Sequence, residues 1–135
     1  MDSTSIELNG CKITSVSVDG ERIEVRFEPA YLVKSMTGSV ERTRWWQNGA
    51  LVFDGAELDD SEPLPALPGE CLGGDVGENV YTYRDMVPVP LQSQGHAHCA
   101  LKVGDGVIRI QGTGVRLEMD DVPKYIEHLR PTADS

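Results

Sequence analysis

The stretch HAHCALKVGDGVIRIQG, residues 96–112, alternates apolar and polar side chains on both sides of Asp105-Gly106. Alternation with a period of two is typical of a half-buried β-strand, and an Asx-Gly pair between two such runs predicts a hairpin. A two-residue turn at this pair would place Leu101 opposite Ile110 and the apolar side chains on one face. The sequence therefore predicts an antiparallel hairpin here.

Two further Asx-Gly pairs, Asp19-Gly20 and Asn48-Gly49, also separate alternating runs, and each predicts another hairpin with its turn at the pair. The stretch VYTYRDMVPVPL is expected to form one more strand, and Pro88 and Pro90 should place it at a sheet edge or end it, because proline cannot donate a backbone hydrogen bond. These patterns predict a mainly β fold, an antiparallel meander of about seven to nine strands. A β-sandwich and a partly open barrel would both accommodate it.

The C-terminal segment is expected to form the one helix of the fold. Asp120 or Asp121 could cap its start, and Pro123 suits its first turn. Its apolar side would consist of Val122, Ile126 and Leu129. The helix would end at Arg130-Pro131, and the tail after it is expected to fray.

Length and composition favour one cytoplasmic domain. A chain of 135 residues supports one hydrophobic core but not two, so we expect a single domain over residues 1–135, ordered from about residue 5 to 131. The N-terminus has no basic and apolar signal pattern, and no apolar run approaches the ~20 residues that span a bilayer. The three cysteines have no CxxC spacing, which favours reduced thiols.

Charge is distributed unevenly along the chain. The 22 Asp and Glu residues outnumber the 12 Lys and Arg residues, and the net charge of −10 argues against nucleic acid or an anionic membrane as a partner. Residues 45–83 contain eight acidic residues and no Lys or Arg. Residues 1–44 and 84–135 are each close to neutral. Nearly all of the excess charge therefore lies in the middle third.

The acidic run ELDDSEP and the Trp45-Trp46 pair are the candidates for partner binding. The acidic candidates are Glu57, Asp59, Asp60 and Glu62. An extended negative patch attracts a basic protein, and an exposed tryptophan can anchor an interface. The leading hypothesis is therefore a non-enzymatic protein-binding module, such as a toxin antagonist of the immunity-protein type or an adaptor. Homodimerisation through a sheet face stays open.

The histidines suggest a second hypothesis, a metal-binding β-barrel enzyme of cupin-like form. His96 and His98 share one face of a strand, where an H-x-H pair can bind zinc or iron. His128 could supply a third ligand. The carboxylate that the cupin motif places after the second histidine is missing, and Cys99 faces the opposite side of the strand. The sequence therefore lacks the part of the cupin motif that would make the match specific.

A third hypothesis is a small apolar ligand carrier of lipocalin-like shape, since the length and the meander would suit such a barrel. No GxSxG motif, Ser-x-x-Lys motif or phosphate-binding loop is present, and no catalytic residue can be named. The sequence therefore favours a non-enzymatic role, with no cofactor unless the metal hypothesis holds.

Overall fold

β-Strands make up all the regular secondary structure that is described. The structure, a computed structural model, describes residues 3–36, 38 and 40–129. The strands are β1 Ser3–Glu7, β2 Lys12–Asp19, β3 Arg22–Ser35, β4 Arg42–Asp54, β5 Glu57–Leu58, β6 Gly69–Glu78, β7 Tyr81–Arg84, β8 Met86–Val89, β9 Gln92–Val103, β10 Gly106–Met119 and β11 Lys124–Leu129. All of their pairings are antiparallel.

Six of these strands close into a barrel. The order around it is β2-β3-β4-β10-β9-β6, and β6 pairs with β2 to complete the ring, with Lys12 opposite Glu70. The barrel is therefore closed, and the expected β-sandwich or partly open barrel is wrong. The expected meander is wrong as well, because the strand that follows β4 around the ring is β10.

Apolar side chains fill the barrel. Phe27 on β3 and Phe53 on β4 are at most 1% exposed. The other large, fully buried side chains on the barrel strands are Ile13, Ile23, Val25, Leu51, Leu101, Ile108 and Ile110, and Ile6, Leu8 and Leu32 extend the same core beyond the barrel. A barrel of six strands is narrower than the eight-stranded barrels that enclose one small ligand in lipocalins. The carrier hypothesis stays a prediction, and the packed interior gives it no support.

β3 and β4 continue beyond the barrel and carry a second sheet. The later half of β3 pairs with β1, which in turn pairs with β8, and the first half of β4 pairs with β11. The order of this sheet is β8-β1-β3-β4-β11. The one strand expected over VYTYRDMVPVPL is wrong, because the chain divides it at Asp85 into β7 and β8. β8 contains Pro88, is followed by Pro90 and lies at an edge, so the predicted edge position is confirmed for this part.

The C-terminal segment is a strand, and the predicted helix is wrong. β11, Lys124–Leu129, pairs with β4 from Lys124 opposite Trp46 onward. The outer half of β4 has backbone N–H and C=O groups on this side that a strand can satisfy and a helix cannot. The helical spacing of the apolar residues is misleading, because Val122 and Ile126 are exposed. The expected helix end and frayed tail, residues 130–135, lie outside the described residues.

The hairpin predicted at Asn48-Gly49 is also wrong. β4 runs through this pair from Arg42 to Asp54 without turning, and the chain reverses before β4 instead. A Cβ at Gly49 would lie 2.6 Å from the Met119 sulfur atom of β10. This glycine therefore permits the close approach of a neighbouring strand and does not form a turn.

The other two predicted hairpins are present, but each register differs by two residues from the prediction. In the β9–β10 hairpin, Leu101 lies opposite Ile108. Gly20 and Gly104 have positive φ and occupy the first turn position of their hairpins, as in type II′ turns. A shift of two keeps every side chain on its face, so Cys99 faces the core as predicted.

Candidate functional site

The acidic segment, residues 57–62, lies beside the first half of β10. β5 places Glu57 opposite Gln111, and the Asp59 N–H donates a hydrogen bond to the Arg109 carbonyl oxygen at 2.9 Å. The exposed, proline-containing residues that follow have no strand until β6 begins. The barrel therefore supports the start of the acidic segment and presents its carboxylates to solvent.

Three carboxylates of the acidic segment have no partner among the described residues. The side chains of Glu57, Asp60 and Glu62 form no ion pair or hydrogen bond with that part of the chain, and all three residues are exposed. Five arginines already form ion pairs with carboxylates outside the acidic segment. They are Arg22, Arg26, Arg44, Arg84 and Arg116. The negative charge of the acidic segment is therefore not balanced by these cations.

Asp59 is held in place within the same segment. Its Oδ1 accepts a hydrogen bond from the Ser61 N–H at 3.0 Å. Hydrogen bonds from the side chain and backbone of Ser61 lower the pKa of Asp59, and the positive charge of Arg109 contributes further. Asp59 is therefore ionised at neutral pH and fixes the turn in front of Glu62.

Four carboxylates from other parts of the chain extend the negative surface. They are Asp19, Glu21, Glu70 and Asp105. The Ala56 N–H donates to the Glu21 carbonyl oxygen at 2.8 Å, which brings the β2–β3 turn to the start of the acidic segment. Beyond its other end, Glu70 and Asp105 line one cleft together with Pro65. We call residues 57–62 and these four residues the acidic surface.

The structure does not bring the two tryptophans next to the acidic segment. Trp45 and Trp46 precede the point where β4 meets Met119 at the end of β10. β5 meets the same strand at Gln111. At a rise of about 3.3 Å per residue, roughly 26 Å of β10 separates the two points. The tryptophans and the acidic segment are therefore separate features.

Both tryptophan rings have partners within the chain. Lys34 Nζ lies 4.2 Å from the centroid of the Trp45 ring, and Lys124 Nζ lies 4.5 Å from that of Trp46. Tyr125 packs edge-to-face against Trp45, with the ring centroids 5.3 Å apart. These contacts give the tryptophans a structural role in joining β11 to β4. Their role as interface anchors stays a prediction.

The structure does not assemble the three histidines into one site. The rings of His96 and His98 lie 5.5 Å apart, and a Cβ at Gly77 would overlap the His98 ring. His128 Nε2 on β11 lies 3.2 Å from a carboxylate oxygen of Glu41. Within the described ranges, no group of three or more His, Cys, Asp or Glu side chains could hold a metal ion. The zinc or iron hypothesis stays a prediction.

One open cleft of about 460 Å³ does place a histidine beside the acidic segment. His98 and Arg109 line it together with Glu57, Asp59 and Asp60. His98 Nδ1 is buried and has no hydrogen-bond partner in the described part of the chain. His98, a candidate metal ligand, therefore lies next to the candidate partner-binding residues of the acidic segment. The sequence does not reveal this, because about 40 residues separate them along the chain.

The three cysteines are buried free thiols. Burial raises the pKa of Cys11 and of Cys99 to about 12, and it also raises the pKa of Cys71. The thiolate is the reactive form of cysteine, so these side chains are unreactive in the folded protein at neutral pH. Their chemistry is that of small apolar core residues.

Comparisons with models of protein families, with curated proteins and with solved structures find no significant match. No helix in the described residues is long and apolar enough to cross a membrane.

Proposed function

We propose that this protein is a non-enzymatic binding module whose acidic surface covers a basic region of another protein. The observation that supports the proposal most strongly is the set of exposed carboxylates, Glu57, Asp60 and Glu62, that have no partner among the described residues. A basic partner would supply the missing cations. A toxin antagonist of the immunity-protein type and an adaptor are the two forms that the sequence favours, and a reduced, cytoplasmic setting suits the three free thiols.

The position of the acidic segment favours binding over mere solubility. β5 and the hydrogen bond from the Asp59 N–H to the Arg109 carbonyl oxygen attach the segment to β10. The start of the segment is therefore ordered before a partner binds, which lowers the entropic cost of binding. Clustered charge of one sign also speeds the encounter with an oppositely charged protein. A surface needed only for solubility would mix both signs of charge.

Charge reversal tests the proposal. The variant Asp60→Lys/Glu62→Lys changes two exposed residues without breaking a side-chain hydrogen bond or ion pair within the described residues. The control Glu28→Lys/Glu127→Lys makes the same change in charge at a distant cleft; it removes the ion pair between Arg26 and Glu28, and Arg26 keeps its ion pair with Asp120. Each protein is immobilised, proteins are captured from a lysate of the source cells, and the affinity of each purified partner is then measured.

The proposal predicts a basic partner that binds the wild-type protein and the control with similar affinity. Asp60→Lys/Glu62→Lys should bind it at least about tenfold more weakly, which corresponds to about 1.4 kcal/mol. Equal affinity of all three proteins for every captured partner would contradict the proposal. Circular dichroism of each variant verifies that the β-barrel is retained.

A further inference from the structure

An apolar cleft lies at one end of the acidic surface. It has a volume of about 630 Å³, is open to solvent, and lies between the proline-containing loop after residue 62 and the β9–β10 turn. Its lining includes Pro63, Pro65 and Leu72, with Val103 buried beneath them. Leu72 is 47% exposed although it belongs to β6, a strand of the barrel. The cleft therefore offers apolar surface that the protein itself does not cover.

Close backbone packing fixes the walls of this cleft. A Cβ at Gly69 would lie 2.6 Å from Val103 Cγ1, and a Cβ at Gly106 would lie 3.0 Å from Pro65 Cβ. The loop is thus in direct contact with the β9–β10 hairpin, and its prolines restrict its backbone further. A cleft with fixed walls binds an inserted side chain at a lower entropic cost than a mobile loop does.

The charges around the cleft select the kind of occupant. Its ionisable lining residues are Glu70 and Asp105, both acidic, and Glu62 directly precedes Pro63. Lys12 lies across from Glu70 in the β2–β6 pairing, but no ion pair joins them. An apolar group that enters between these carboxylates is favoured when cations flank it.

The largest of the described clefts does not favour an occupant of one particular charge. It has a volume of about 700 Å³ and lies against β4 and β11, where Arg44 faces Glu28 and Glu127 along the same lining. Arg44 also forms an ion pair with Glu7. Its charges are mixed and partly paired, so they specify no charge for an occupant.

We infer that the cleft of Pro63, Pro65 and Leu72 receives an apolar side chain that is flanked by Lys or Arg in a basic polypeptide partner. This inference rests on the proposed function and specifies its partner: an amphipathic basic segment, not a purely polar one. Apolar burial adds to charge attraction and is much less sensitive to salt. The two contributions can therefore be separated by experiment.

Two fluorescently labelled peptides of eleven residues test the inference. Both carry six Lys or Arg residues, and they differ only at the central position, which is Leu in one and Ser in the other. Binding to the full-length protein is measured by fluorescence anisotropy in low and high salt. The variant Leu72→Gln removes apolar surface from the cleft, and Leu64→Gln is the matched control, because Leu64 is 41% exposed but does not line the cleft.

The inference predicts that the Leu peptide binds the wild-type protein about tenfold more tightly than the Ser peptide, and that high salt weakens both while preserving this ratio. Leu72→Gln should remove the difference and Leu64→Gln should keep it. Equal binding of the two peptides would overturn the inference and leave the acidic surface as a purely electrostatic site. If neither peptide binds in low salt, the proposed function fails together with the inference.

Discussion

Replacement of Gly74 by alanine tests the closure of the barrel between β6 and β9. Gly74 has a φ of +149°, a conformation that residues with a side chain rarely adopt. A Cβ at this position would overlap the Ala100 carbonyl oxygen and lie 2.9 Å from Leu101 Cα. Both atoms belong to the backbone of β9, which pairs with β6 on each side of this point. The neighbouring strand therefore cannot move aside without loss of ladder hydrogen bonds.

The expected loss of stability has two parts. The unfavourable φ costs about 1–3 kcal/mol, and overpacking against a fixed backbone costs about 1–3 kcal/mol more. The sum is a large fraction of the roughly 5–15 kcal/mol that stabilises a small domain. Gly104→Ala is the matched control, since Gly104 has a φ of +57° and no atom within 4 Å of the added Cβ. It should lose only about 1–2 kcal/mol.

Urea denaturation followed by tryptophan fluorescence gives both free energies of unfolding. Gly74→Ala should be less stable than Gly104→Ala by at least about 1 kcal/mol, with an unchanged denaturant slope for the control. Equal losses in the two variants would refute the close approach of β6 to β9 and thus the closed barrel at this point.

Three further predictions concern the thiols and the C-terminal strand. Since burial raises the pKa of Cys99 from 9.0 to about 12, the unfolded chain loses its proton first, and the free energy of unfolding should fall as the pH rises above about 9. At pH 8 the native protein should not react with a thiol reagent, whereas the denatured chain should react at all three cysteines; fast native labelling would contradict this. A double-mutant cycle of Trp45→Ala and Tyr125→Ala should give a coupling of about 0.5–1.5 kcal/mol, and strictly additive losses would argue against the pairing of β11 with β4.

The sequence allows the inner and outer faces of β9 to be predicted, because alternation is a local property. Cys99 is buried and His96 is exposed, as the pattern indicates, although the turn begins one residue earlier than predicted. Glycine has two uses that the sequence cannot distinguish. Gly104 adopts positive φ in a turn, whereas Gly49 permits close contact with Met119. The false hairpin follows from this ambiguity.

The C-terminal error has a different origin. Apolar residues at helical spacing normally face a core, but the residues of β11 are held by hydrogen bonding to β4 and by the contact of Tyr125 with Trp45. Both depend on a strand about 80 residues earlier in the chain, as the pairing of Lys124 with Trp46 shows. No local pattern carries that information, so tertiary context decides the structure.

The acidic segment could be found from sequence because its four carboxylates lie within six residues, and the absence of Lys or Arg from residues 45–83 is visible in the sequence. Glu21 and Asp105 could not be added to it, because only the folded barrel brings their turns to its two ends. The adjacency of His98 to Glu57 also depends on the pairing of β9 with β10.

The salt dependence of partner binding tests whether the acidic surface binds a basic protein. The dissociation constant of the captured basic partner is measured for the wild-type protein and for Asp60→Lys/Glu62→Lys at low and at high sodium chloride concentration. If the acidic surface binds the partner, wild-type affinity falls at least about tenfold with salt, and the variant binds weakly with a smaller dependence. The same affinity and the same salt dependence for both proteins would contradict the account.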